Sequence, residues 1–192
     1  MKQPPRAKKK LKMNDQIVFL KEFLRNPRQV ASILPSSRFL EQRIVELAEV
    51  RSAHTIVDLG AGTGGTTRAI LKAMPPCARL LSIEINQRFC GLLGRIEDKR
   101  LIAHCGGAHE LQKTLSLYGL PAPDVVISGI PFSTMSRQAG ARILEAIFSV
   151  LVPGGRFVAY QISKQVEEMS RPLFGPAHAV VELLNIPPLR LY

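Results

Sequence analysis

The chain has 192 residues, 46% hydrophobic and 21% charged, which suffices for one globular domain with a sizeable core and is unlike a disordered composition. No apolar run approaches the roughly 18 to 20 residues that span a bilayer, and the N-terminus lacks the apolar stretch of a secretory signal. The net charge of +11 is uneven: residues 1–28 hold nine basic and two acidic side chains, a surplus of +7 that implies a polyanionic partner, nucleic acid or an anionic membrane.

Residues 1–10 carry two prolines and a lysine run with no apolar anchor, which predicts a disordered tail. From Leu11 the pattern turns helical. Met13, Ile17, Leu20 and Leu24 share one stripe, Phe23 widens it, and Asn26-Pro27 ends it. This helix either packs on the domain with its lysines in water or lies in a membrane interface. In the second reading the apolar stripe, with Phe19 and Phe23, enters the bilayer while Lys8, Lys9, Lys10 and Lys12 meet anionic headgroups. Each such lysine is worth about 1 kcal/mol, in a salt-sensitive way. Residues 1–28 therefore read as a basic tail and amphipathic helix, and residues 29–192 as the folded domain.

The spacing next predicts a helix over 37–50, with Ser36 or Ser37 as N-cap and Glu41 available for a capping box. Alternation follows: strand 55–59, helix 66–74, strand 79–84, helix 87–96 capped by Asn86, strand 101–105, short helix 109–117 and strand 124–128. A helix over 137–151 stops at Pro153-Gly154-Gly155, and strands are expected at 156–162, 179–184 and 189–192. Strands alternating with helices mean an α/β fold, a mostly parallel sheet with helices on both faces. Cys77, Cys90 and Cys105 form no CxxC or His/Cys ligand pattern, so the expectation is reduced thiols of a cytosolic protein and no metal.

The strongest motif is Val57-Asp58-Leu59-Gly60-Ala61-Gly62-Thr63-Gly64-Gly65-Thr66, between a predicted strand and a predicted helix. Its glycines permit a tight turn and let backbone N–H groups approach a ligand at the helix N-terminus. Gly60, Gly62 and Gly65 also satisfy the dinucleotide pattern, and Glu84 lies where a ribose-binding acid belongs, so NAD remains an alternative. Three features favour S-adenosylmethionine. Asp58 directly precedes the glycines, suited to a cationic methionine portion; two helices precede the first strand and can cover the site; and there is no room for a separate catalytic domain.

This constellation resembles the class I methyltransferase family. The resemblance implies a Rossmann-like fold with a seven-stranded, mostly parallel sheet. It makes Asp58, Gly60, Ala61, Gly62, Thr63 and Gly64 the first cofactor motif, with Glu84 accepting both ribose hydroxyls and Ile85 packing on adenine. Where the family has Gly-Asp-Ala, this chain has Gly106-Gly107-Ala108, so backbone groups of Gly107 and Ala108 stand in for the acid. Ser128-Gly129-Ile130-Pro131-Phe132 resembles the Asn-Ile-Pro-Tyr/Phe and Asp-Pro-Pro-Tyr/Phe loops of amine methyltransferases, with Ser128 facing the cofactor. With Gly129 instead of Asn or Asp, carbonyls alone accept the amine's hydrogens. Pro131 stiffens the loop, and Phe132 offers a cation–π face.

A wider resemblance is to the bacterial phospholipid N-methyltransferases. It is carried by Phe19-Leu20-Lys21-Glu22-Phe23-Leu24, by Pro27-Arg28-Gln29-Val30-Ala31-Ser32-Ile33-Leu34-Pro35-Ser36-Ser37, by Gln161-Ile162-Ser163 and by Asn185-Ile186-Pro187-Pro188. It implies methylation of the amine of phosphatidylethanolamine, and of its mono- and dimethyl forms, by an enzyme peripheral to the inner membrane and needing no obligate protein partner. It also assigns Pro35, Ser36 and Ser37 to the cofactor pocket and Gln161 to the substrate side. Lys164 departs from the family's Tyr; a lysine there can meet a phosphate as a point charge.

Two further readings stay open. An RNA adenine N6-methyltransferase shares the loop type and also attracts a basic tail, but no RNA-binding domain is evident. A cofactor-binding adaptor without activity would explain Gly107 and Gly129. Transfer to an amine needs mostly positioning, plus loss of a proton from the substrate ammonium, for which His109 is the candidate base.

Overall fold

The computed structural model describes residues 38–161, 163–182 and 189–192. Helix α1 (Arg38–Leu47) precedes β1 (Thr55–Leu59), α2 (Gly65–Ala73), β2 (Arg79–Glu84), α3 (Gln87–Leu93) and β3 (Leu101–Cys105). There follow α4 (Leu111–Leu117), β4 (Val125–Ser128), α5 (Arg137–Val150), β5 (Arg156–Gln161), α6 (Gln165–Phe174), β6 (Val180–Glu182) and β7 (Leu189–Leu191). The strands form one sheet in the order β3-β2-β1-β4-β5-β7-β6, with β7 antiparallel to both neighbours and the first five strands parallel. This is the Rossmann-like, doubly wound arrangement expected.

The central strands are buried on both faces, which is why they read as unbroken apolar runs. Successive side chains alternate between two cores. Ile56, Leu80, Val158 and Tyr160 meet Leu40 and Ile44 of α1 and Ile70 of α2 on one face. Val57, Leu81, Val126 and Ala159 meet Leu111, Leu144 and Ile147 on the other. Strand order reverses beside β1, whose neighbours are β2 and β4. A crevice therefore opens beyond the carboxyl ends of β1 and β4, the usual ligand position in such sheets.

Several boundaries move for identifiable reasons. Helix α1 ends at Leu47 rather than at 50, because Glu49 takes a left-handed conformation (φ 49°) ahead of a 3₁₀ turn, Val50–Ser52. Helix α3 ends three residues early, where the Gly94 amide closes the last turn on the Cys90 carbonyl at 2.9 Å. Asn86 caps α3 as expected, accepting from the Arg88 amide at 3.0 Å. Asp124 stands just before β4, where its Oδ2 accepts from the His54 and Thr55 amides at 2.8 Å each and fixes the start of β1. Helix α6 was not anticipated: Pro172 within it and a thin apolar stripe, Val166 and Ser170 being its buried positions, mask its period.

The cysteine expectation is corrected. Cys90 of α3 and Cys105 at the end of β3 form a disulfide, with Cα atoms 5.6 Å apart, while Cys77 is free and exposed. The β2–α3–β3 crossover folds α3 back beside β3 and brings the two together, which the sequence spacing does not signal. The N-terminal helix, with Lys8, Lys9, Lys10, Lys12, Phe19 and Phe23, and the positions Pro35, Ser36 and Ser37 lie outside the described residues. No helix among the described residues is long and apolar enough to cross a membrane.

Candidate active site at the carboxyl ends of the central strands

The glycine loop leaves β1 through Gly60, Gly62 and Gly64, all left-handed at φ 72°, 56° and 84°, a conformation that strains any other residue. Gly60 is also required by contact. A Cβ there would lie 3.0 Å from Ile130 Cγ1 and 3.2 Å from the Ile130 amide, so its absence lets this loop rest on the loop after β4. The Gly60 amide donates to the Ile83 carbonyl at 2.9 Å, and α2 then begins at Gly65 with its N-terminus at the crevice.

Two carboxylates frame the loop. Glu84 is buried at the end of β2; one oxygen accepts from the Gly62 amide and the other from the Asn86 amide, each at 2.8 Å. Burial raises its pKa, and these amides hold it back. The expected role of Glu84 is thereby refined: it clamps the glycine loop as well as offering its remaining lone pairs to hydroxyls. Asp58 is fully buried in β1. Its Oδ2 accepts from the Thr67 hydroxyl at 2.6 Å, while its Oδ1 has no hydrogen-bond partner among the described residues. Burial lifts the carboxyl to about 7.

These residues fit S-adenosylmethionine. An orphaned, buried carboxylate oxygen calls for a donor such as the ammonium of the methionine portion. Ile85, directly after Glu84, is 76% exposed, an apolar side chain placed to cover an adenine face. Across β3, Ala108 is buried and Gly107 has its side-chain space filled by a ring: a Cβ on Gly107 would lie 2.5 Å from His109 Cε1 and 2.7 Å from Nδ1. His109 thus packs beside Gly107, after β3. The strand order sets β3 three strand spacings, about 14 Å, from β4, too far for His109 to take a proton at Gly129.

On the substrate side, Ser128 is buried and its Oγ accepts from the Ile130 amide at 3.3 Å, which turns the chain out of β4. Gln161 Nε2 donates to the Ile130 carbonyl at 2.7 Å, and Gln165 Nε2 to the Phe132 carbonyl at 3.2 Å. The Pro131 carbonyl is taken by Thr134. No described residue donates to the Gly129 carbonyl, so the carbonyl set expected to hold an amine narrows to that one. Phe132 is corrected: its ring is fully buried in the core with Leu144 and Val166 and presents no face to a cation. Lys164 is exposed at the start of α6, and Gln165 ties that helix start to the substrate loop. Tyr160, which sequence reasoning passed over as a buried β5 position, reaches the same place. Among the described residues no group of three His, Cys, Asp or Glu side chains could hold a metal ion.

No family model matches the chain. It is 29% identical over 189 residues to the ornithine lipid N-methyltransferase of Singulisphaera acidiphila, covering 94% of this chain and 95% of that one. It is 36% identical over 97 residues to ribosomal RNA small subunit methyltransferase A of Maricaulis maris, covering 49% of this chain and only 32% of that enzyme. Among solved structures it superposes on an O-methyltransferase from Bacillus cereus in complex with SAH at a TM-score of 0.65, with 13% identity, covering 93% of this chain and 96% of that one. The fold is the Rossmann-like fold of class I methyltransferases. The glycine loop, Asp58, Glu84 and Ile85 are the residues that would hold S-adenosylmethionine as methyl donor.

Proposed function

We propose that the protein transfers methyl groups from S-adenosylmethionine to the primary amine of a membrane lipid, phosphatidylethanolamine first and then its mono- and dimethyl forms. The observation that carries this reading is the likeness to a lipid N-methyltransferase across nearly the whole of both chains. That relative's name favours an ornithine lipid as a second headgroup; both lipids present a primary amine.

When bound, the cofactor supplies an electrophilic sulfonium methyl. The chain's own residues do the rest by positioning. The Gly129 carbonyl accepts a hydrogen from the amine and aims its lone pair toward the glycine loop. The loop at Gly60 abuts Ile130, which brings the glycine loop against the substrate loop. Lys164 at the rim meets the anionic part of the headgroup. The substrate ammonium gives its proton to water before attack, since neither Asp58, engaged under the loop, nor the distant His109 is placed to take it.

The basic N-terminus supports docking to an anionic inner-membrane surface on the cytoplasmic side, with Lys8, Lys9, Lys10 and Lys12 facing headgroups. Residues 1–28 then act as the anchor and residues 29–192 as the catalytic domain, with no obligate protein partner. Methyl-labelled S-adenosylmethionine incubated with phosphatidylethanolamine vesicles, ornithine lipid vesicles and total RNA tests the reading. The RNA adenine alternative, favoured by the 97-residue match to a ribosomal RNA methyltransferase, requires label in RNA alone.

A further inference from the structure

Position 129 has no side chain, and the space one would fill is occupied. A Cβ built on Gly129 falls 2.2 Å from the Tyr160 hydroxyl oxygen and 2.6 Å from its Cζ. Tyr160 stands on β5, the strand beside β4, with its ring buried at 5% exposure. Its hydroxyl lies 3.3 Å from Thr66 Oγ1, in the first turn of the helix that follows the glycine loop. One phenol therefore touches both walls of the crevice: the Gly129 backbone that receives the acceptor, and the helix start beneath the donor.

Burial and the nearby Asp58 carboxylate raise the pKa of this phenol, so it stays protonated, with one hydrogen to donate and lone pairs to accept. Thr66 engages one of these. The neighbouring Gln161 grips the Ile130 carbonyl at 2.7 Å, so consecutive residues of β5 fix consecutive residues of the substrate loop.

We propose that Tyr160 is a positioning and specificity-determining residue, whose hydroxyl replaces the absent side chain of residue 129 and holds the Gly129 carbonyl in register with the glycine-loop helix through Thr66. The inference rests on the amine-transfer reading, because that carbonyl matters only if it orients the acceptor. It also explains why residue 129 is glycine: any larger residue collides with the phenol.

The test uses the full chain, with phosphatidylethanolamine vesicles as acceptor and S-adenosylhomocysteine binding by calorimetry as the readout independent of turnover. Tyr160→Phe keeps the ring and removes the hydroxyl. It is expected to bind S-adenosylhomocysteine within about twofold of the wild type, with an unchanged lipid KM and kcat lowered roughly tenfold. Gly129→Asn is expected to abolish transfer when Tyr160 is present. Added to Tyr160→Val, which opens the space, the same change is expected to raise transfer above that of Tyr160→Val alone. Such a reversal of sign is not produced by loss of core packing. Wild-type transfer matched by Tyr160→Phe overturns this inference alone, as does a Gly129→Asn that is equally harmful in both backgrounds. Absence of lipid transfer by a wild type that still binds S-adenosylhomocysteine overturns the amine reading and this inference with it.

Discussion

The Glu84 carboxylate accepts a hydrogen bond from the Gly62 amide at 2.8 Å, tying the end of β2 to the turn that leaves β1. The loop is therefore shaped by the same acid that we propose meets the ribose hydroxyls. Glu84→Gln keeps one acceptor but sets an amide N–H against a backbone N–H. Leaving such a buried group unsatisfied costs about 1–3 kcal/mol. Chemical denaturation should show a loss of that size, and S-adenosylhomocysteine binding should weaken in parallel. Full affinity in the variant would show that the clamp is dispensable.

Asp58 makes the protein pH-dependent, with a definite sign. Its carboxyl is raised from 3.8 to about 7 by burial. Below about pH 4 it is protonated in folded and unfolded chains alike, so the favourable term is fully present there. As pH rises from about 4 to about 7 the unfolded chain ionises while the folded one stays protonated, so the ligand-free fold loses stability by on the order of 1.4 kcal/mol per pH unit across that window, and the loss levels off above it. Asp58→Asn should flatten this part of the stability profile. An ammonium placed at Oδ1 favours the ionised carboxylate, so cofactor binding near pH 6 should release close to one proton in the wild type and none in Asp58→Asn. Calorimetry in buffers of differing ionisation enthalpy measures this directly.

The Cys90–Cys105 disulfide closes a loop over a sequence separation of 15. A crosslink of that span stabilises by about 3 kcal/mol in the chain-entropy account. Alkylation of the native, non-reduced protein should modify Cys77 alone. Reduction, or the Cys90→Ser/Cys105→Ser pair, should then lower the thermal midpoint by several degrees; reaction of all three thiols without a reductant contradicts the crosslink.

The parallel strands were legible in the sequence almost residue for residue, because β1 and β4 are apolar runs buried on both faces. The glycine loop and its two acids were legible because only glycine tolerates three left-handed positions in five residues. Besides helix α6, three features were not. Phe132 sits in a motif whose ring was expected at the substrate, yet it packs into the core against helices distant in sequence. The Tyr160–Gly129 contact depends on two strands lying side by side. The disulfide depends on a crossover, and no local pattern encodes it.

Membrane docking is tested on the basic tail. Reversing Lys8, Lys9, Lys10 and Lys12 to glutamate should remove several kcal/mol of attraction to anionic vesicles, at about 1 kcal/mol per lysine. Binding of the wild type should fall steeply with added salt. Sedimentation with vesicles of graded anionic lipid content measures both. Equal sedimentation of the variant would assign the membrane surface to another part of the chain.

The proposed methylation of a lipid amine is read by mass spectrometry of headgroups after incubation with S-adenosylmethionine and mixed vesicles. Mono-, di- and trimethylated phosphatidylethanolamine should appear in that order, with total RNA in the same tube left unmodified. Methylated RNA with unaltered lipid would contradict it.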